Sequence, residues 1–345
     1  MSTYPVTPGL LNLPVYAVAN AFGTDLLAWK DRLSLVSAAW ISALSVLFIF
    51  LVLTRVMATE EGALFFAFVY AFATCVWSVA SRALWQHGPS LLFLTAALWL
   101  LWKGSPRATR LAGLFLGLAV VTRPTNALIA IPLAIYVFRY RRSALGGFAV
   151  LGFVPILLQS LYAWTYWGSP FSLGHTNPIP QVANFGGNPF VGLAGLLVSP
   201  SRGLLVFSPI FLFSAVGAAD AWRRRRNEPL YRYLAIGTAL LPLVYAKWTV
   251  WWGGQTFGYR FLIEMIPGLV VFLAVAWETR ISRSTLLQTV FGACLAWSLY
   301  VHFLGATVHP TDFNRRLEED PRLLWSVRQS EIVFSTQKLL AQQER

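Results

Sequence analysis

The chain has 345 residues, 57% of them hydrophobic and 12% charged, with a formal net charge of +13. Soluble domains carry about 25% charged residues, and here the apolar runs leave no stretch long enough for one. The excess cations stand in short clusters between apolar runs, which is the pattern of cytoplasmic membrane loops and argues against a nucleic-acid surface.

In chain order, residues 1–33 are expected to form an interfacial segment on the outer face. Within it 10–22 (LLNLPVYAVANAF) is apolar but too short to span. A spanning helix needs about 20 mostly apolar residues. Such runs occur at 34–56, 62–81, 89–103, 109–122, 125–139, 144–164, 204–222, 230–248, 259–277 and 285–305. The expectation is an all-α, polytopic integral membrane protein of about ten transmembrane helices. Residues 34–305 form its membrane domain, with a long outer loop at 165–203. Residues 306–345 form a polar tail on the outer face, with an amphipathic helix over roughly 322–342.

Four cation groups fix the orientation: Lys103/Arg107/Arg110, Arg139/Arg141/Arg142, Arg223–Arg226 and Arg280/Arg283. Placing them in the cytoplasm of a plasma (inner) membrane protein leaves the opposite, extracytoplasmic side with single cations, aromatics, Gly and Pro. Trp164, Tyr166, Trp167, Trp248, Trp251 and Trp252 then read as an interfacial belt. Met1 starts outside, yet nothing before residue 34 resembles a signal peptide or export helix. The simpler reading is that a natural first helix is missing from this sequence; a short N-terminus that translocates unaided is the other. Cys75 and Cys294 lie in apolar runs and suggest packing, with no disulfide framework.

Ionisable groups near a bilayer are costly, which makes those on the outer side site candidates. The link Ser81–Gly88 places Arg82 and His87 together beside Trp85, against the alternative of a snorkelling Arg and a capping His. Arg123, in Thr-Arg-Pro-Thr, is equally a lone snorkelling cation. Ser199-Pro200-Ser201-Arg202-Gly203 precedes a helix and suits a phosphate cradle of Ser201 and Arg202, or ordinary capping. His175 reads as a plain loop histidine. The richest stretch is KWTVWWGGQTFGYR at 247–260. Its glycines permit close approach to a ligand, Trp251 and Tyr259 offer faces for a sugar ring, and Lys247 and Arg260 can grip an anion. Glu264, one turn after Arg260, is expected to pair with it. The remaining outer acids are Asp25, Asp31, Asp312 and Glu318-Glu319-Asp320, and no acidic or His/Cys group has metal-ligand spacing.

Taken together, these groups suit a phosphate at headgroup level with an apolar tail between helices, the anatomy of a polyprenyl-phosphate sugar. The segments YPVTPGLLNLPVYA, SRALWQHGPSLLFLTAALWLL, GLAVVTRPTNALIAIPLA, SPSRGLLVFSPI and WWGGQTFGYRFLIEMIP also resemble bacterial multi-pass GT-C glycosyltransferases, relatives of the protein O-mannosyltransferase and aminoarabinose transferase families. The resemblance covers most of residues 4–270. It implies a cell-envelope transferase that moves a sugar from a polyprenyl-phosphate donor to a lipid, glycan or protein acceptor among membrane lipids. Arg260 and Arg202 are its implied donor-phosphate contacts, with His87 and Arg82 nearby. The family's base is an acidic residue in the first outer loop, ahead of the position matching YPVTPG, so no catalytic base is carried onto this sequence. Whether a divalent cation assists stays open. The competing expectations are a lipid-linked sugar flippase or other transporter, and a catalytically inactive homologue.

Overall fold

The computed structural model describes residues 5–170, 184–224, 228–308 and 311–343, and every regular element among them is helical. α1 (Val6–Ala21), α2 (Lys30–Leu53) and α3 (Glu60–Phe72) lead to a π-helical turn at Val76–Ala80. α4 (His87–Lys103), α5 (Pro106–Thr122), α6 (Ala127–Tyr140) and α7 (Leu145–Trp167) follow. Then come α8 (Pro189–Val198), a single turn α9 (Leu204–Phe207), α10 (Leu212–Arg224), α11 (Leu230–Tyr245), α12 (Ile266–Thr279) and α13 (Thr285–Thr307). The tail folds as α14 (Thr311–Glu319) and α15 (Glu331–Gln343).

The helix ends follow from local chemistry. Thr59, Ser105, Asn188 and Ser284 cap α3, α5, α8 and α13 by accepting freed backbone N–H groups. Gly104 and Gly168, both at φ +70°, stop α4 and α7 in the left-handed conformation. The run 62–81 does not stay helical throughout. It breaks after Phe72, where side chains take over the freed backbone: Thr74 Oγ1 accepts from Val76 N, and Ser208 Oγ donates to the Ala73 carbonyl. Pro209 separates α9 from α10 within the run 204–222. Residues 165–203, read as loop, contain α8. The helix expected over 322–342 is a 3-10 turn at Pro321–Trp325 followed, after a break, by α15.

Among the described residues, four segments are long and apolar enough to cross a membrane: Lys30–Leu53, Arg142–Trp167, Arg260–Arg283 and Thr285–Thr307. The other expected spans are present as helices of 13–17 residues. Thus the chain is a helical membrane protein with four span-length helices. α7 shows most plainly why it needs lipid: Phe153, Leu157, Leu158, Leu161 and Trp164 are all more than half exposed, an apolar surface that water does not tolerate at this size.

Small residues bring helix backbones together where lipid provides no hydrophobic drive. Gly113 and Gly117 on α5, one turn apart, pack directly on the backbone of α7 at Phe148 and Gly152, and Gly217 on α10 packs on the Phe272 carbonyl of α12. A Cβ at any of the three would overlap that backbone. Gly117→Val is therefore expected to cost about 1–3 kcal/mol through overpacking, read as a lowered unfolding midpoint in detergent.

The bundle has two chemically distinct ends. At one, Arg141 lies against Gly104, Trp102 packs on Tyr231, and Tyr140 packs on Tyr233. There too Asp220 accepts from Arg280 Nε at 2.8 Å and Nη2 at 3.0 Å, and Glu278 accepts from Ala58 N. Arg141 and Arg280, from two of the cation groups, thus lie at this end. At the other end α1 is tied down by Thr122 Oγ1, which donates to Thr7 Oγ1 at 3.0 Å, and by a hydrogen bond from Ser37 to Asn12.

Candidate functional site

The site forms at the end where α1 docks. Pro124 ends α5, and the residue before a proline is driven out of the helical region. Arg123 is accordingly extended, at φ −145° and ψ 114°, and its guanidinium turns into the bundle. Arg123 Nη1 donates to Glu264 Oε1 at 2.6 Å, and Nη2 donates to Tyr245 Oη at 2.7 Å. Tyr245 in turn donates to Thr125 Oγ1 at 3.1 Å and stacks on Phe261, with centroids 4.6 Å apart. His87, the first residue of α4, places Nδ1 3.0 Å from Glu264 Oε1 and 2.6 Å from Arg123 Nη1. Glu264 and His87 are both buried.

The expected Arg260–Glu264 pair does not form. Residues Arg260–Met265 are a 3-10 helix, whose three residues per turn put i and i+4 on different faces. Glu264 points to Arg123 and His87. Arg260 lies over Trp85, 4.9 Å from the ring centroid, and over Phe261 at 5.5 Å. The two glycines before it explain themselves here: Gly253 and Gly254 have φ of +83° and +70°, and a Cβ at Gly253 would lie 3.5 Å from Arg260 Nε. His87, Arg123, Arg260, Trp85 and Phe261, together with Pro5 and Pro8, line a cavity of about 570 Å³. Arg260 Nε is buried without a hydrogen-bond partner. The described lining holds two guanidiniums and no carboxylate, Glu264 being taken up by Arg123 and His87, so the cavity carries an excess positive charge and suits an anion with an apolar extension.

Arg82 and His87 do not sit together at the water interface. Arg82 is exposed and lines a second cavity of about 240 Å³, while Trp85 borders both cavities. His87 is buried in the first.

The Ser199–Gly203 segment seats the tail, so Arg202 and Ser201 face α14 and α15 and not an external phosphate. Arg202 is ion-paired with Glu331, donates from Nη2 to Asn314 Oδ1 at 2.7 Å, and lies over Phe313. Ser199 Oγ donates to the Leu324 carbonyl at 2.6 Å and Ser201 Oγ to the Leu323 carbonyl at 3.0 Å. Glu331 also accepts from Gly258 N at 2.9 Å. Burial raises the Glu331 carboxyl above the ordinary carboxylate range, opposed by the Arg202 charge. Farther along, Lys338 donates to Asp312 at 3.1 Å and holds that exposed carboxyl below its usual range.

Three other expected contacts also lie elsewhere. Lys247 is exposed at the end of α11. Trp251 belongs to no belt: it is buried against Trp252 and Trp325, in a hollow that only glycine at 195 leaves open. Tyr259 is buried, with Oη 2.7 Å from Ser208 Oγ and 3.4 Å from His302 Nε2. Residue 175 lies outside the described residues.

Sequence reading missed Tyr245, Glu331 and His302, which bridges Ser78 Oγ and Ser208 Oγ at 2.8 Å each. Tyr245 and His302 sit in apolar runs, where a lone polar residue is itself the signal of an internal partner, whereas Glu331 lies in the polar tail and carries no such signal. Among the described residues there is no group of three or more His, Cys, Asp or Glu side chains placed to hold a metal ion. No family model, curated protein or solved structure matches the chain.

Proposed function

We propose that the chain is a membrane glycosyltransferase of the GT-C type. In this reading about ten helices cross the membrane, and the first cavity binds the phosphate of a polyprenyl-phosphate-linked sugar on the extracytoplasmic side of a plasma membrane. The observation that carries it is Arg260: a guanidinium held over Trp85, with a buried and unpartnered Nε, at the wall of a cavity that Arg123 also lines and whose described lining holds no carboxylate. Arg123 is committed to Glu264 and Tyr245, which leaves Arg260 as the group with capacity to bind.

In the transfer, an acceptor hydroxyl oxygen bonds to the sugar C1 as the C1–O bond to phosphate breaks. The hydroxyl proton passes to a base, and the bonding electrons leave with the lipid phosphate. Arg260 stabilises that developing charge, as fixed cations do in a water-poor site. His87 and Arg123 border the same space, and the apolar faces of Phe261 and the two prolines suit the start of a polyprenyl chain. The acceptor is a lipid, a glycan or a protein.

A charge-assisted hydrogen bond is worth about 1.5–3 kcal/mol. Arg260→Ala is therefore expected to weaken binding of polyprenyl phosphate roughly 10- to 100-fold and to abolish sugar transfer in membranes offered a panel of lipid-phosphate sugars. Transfer that survives Arg260→Ala unchanged would sink the assignment. Movement of lipid-linked sugar across vesicles, without transfer from any donor, would replace the enzyme with a transporter.

A further inference from the structure

We infer that the second cavity is a subsite for a single sugar ring, closed on one side by the tail. It lies between the π-helical turn and the link after it, the glycine-rich link, the end of α13, and α14. Its volume, about 240 Å³, admits one pyranose or furanose ring.

The lining supplies both surfaces that a sugar presents. Trp85 is 45% exposed, and with Arg260 over one face of its ring the opposite face is left for the C–H side of a sugar. Arg82, Gln255, Thr256 and Asn314 supply donors and acceptors for hydroxyls. Thr256 Oγ1 is buried with no hydrogen-bond partner, and a group in that state asks for a ligand. Gln255 donates to Glu318 at 2.8 Å, and among the described lining residues Arg82 is the single cation. One exposed cation among neutral polar neighbours favours a neutral ring over a second phosphate.

The tail is part of the subsite. Thr311 and Asn314 form one wall, and Asn314 is fixed by its bond from Arg202. Because Trp85 borders both cavities, the ring belongs either to the ligand whose phosphate meets Arg260 or to a glycan acceptor brought up to it. Which of these it is rests on the transferase reading; the binding of a ring does not.

The test uses the purified full chain in detergent and saturation-transfer NMR with methyl glycosides of mannose, glucose, galactose and 4-amino-arabinose. Ring protons of at least one glycoside should be saturated, with the signal reduced about fivefold or more, one lost stack, in Trp85→Leu and clearly reduced in Thr256→Val, which keeps the shape and removes the hydroxyl. Displacement by a sugar-bearing polyprenyl phosphate but not by the sugar-free lipid assigns the ring to the donor, and persistence with both assigns it to the acceptor; each supports the subsite. Absence of saturation for the whole panel, equal saturation in wild type and both variants, or displacement by the sugar-free lipid overturns it. Retained glycoside signal alongside phosphate binding that ignores Arg260→Ala would remove only the phosphate reading.

Discussion

Glu264→Gln is expected to destabilise the bundle by about 3–5 kcal/mol, the cost of leaving a buried cation without its counter-charge. Arg123 Nη1 sits 2.6 Å from Glu264 Oε1, with both side chains nearly inaccessible. Removing the carboxylate charge therefore strands the guanidinium among Tyr245, Phe261 and the neighbouring Arg260. Tryptophan-monitored unfolding in detergent should show the loss, and anion binding at the cavity should fall with it. The paired change Arg123→Leu with Glu264→Leu removes both charges and should recover most of the stability, since buried ion pairs seldom outperform apolar replacements. It should also recover phosphate binding, which rests on Arg260. A single Glu264→Gln change within about 0.5 kcal/mol of wild type would mean that water reaches Arg123 and that the pair is not the keystone of this end of the bundle.

The second large effect is expected at the tail. Glu331→Ala removes the buried partner of Arg202 and the acceptor of Gly258 N. The penalty for an uncompensated buried guanidinium is again about 3–5 kcal/mol, but here the chain has an escape: α14 and α15 can leave and let water in. The expected result is a local opening, with the tail cleaved roughly 100-fold faster by added protease while the helices of the bundle stay protected. Arg202→Met with Glu331→Leu should restore resistance. If Glu331→Ala lowers the global midpoint and leaves the cleavage rate of the tail unchanged, the tail is welded to the bundle by its apolar contacts and the ion pair is secondary. Because Thr311 and Asn314 wall the second cavity, the opened tail should also lose glycoside saturation.

Much of this architecture is written in the sequence. Hydrophobic length finds the helices because each must present apolar side chains to lipid or to its neighbours, and ten of ten expected runs contain helix. Their breaks are less legible. The stop at Phe72 depends on Thr74 and on Ser208, which lies 135 residues away from the carbonyl it meets, so no local window reveals it. The site divides in the same way. Arg260, Arg123 and His87 stand out as isolated ionisable groups and do converge on one cavity. Arg202 stands out equally, yet its partner is Glu331, and only the folded chain shows that the demand of this cation is met internally. The Arg260–Glu264 expectation failed on helix type: the pairing rule for i and i+4 belongs to the α-helix, and a 3-10 segment rotates the carboxylate toward Arg123. The single-ring cavity was illegible for a further reason, since its walls come from three widely separated stretches of chain.

On the ten-span reading proposed above, the long-range pairs also act as a parity check on membrane insertion. His87, Arg123 and Glu264 meet at one point. Between the first two lie α4 and α5, and between the last two lie α6, α7, α10 and α11. Arg202 meets Glu331 with α10, α11, α12 and α13 between them. If each of these helices crosses the membrane, as the ten-span proposal has it, every interval holds an even number of crossings, so each pair can close only if all of its intervening helices are threaded or an even number of them fail. A single helix left unthreaded during synthesis would put the two partners on opposite faces of the bilayer, with a bare arginine on one side and a bare glutamate on the other. Such a chain could not assemble either cavity, and its unmatched charges would mark it for removal before it could take up substrate.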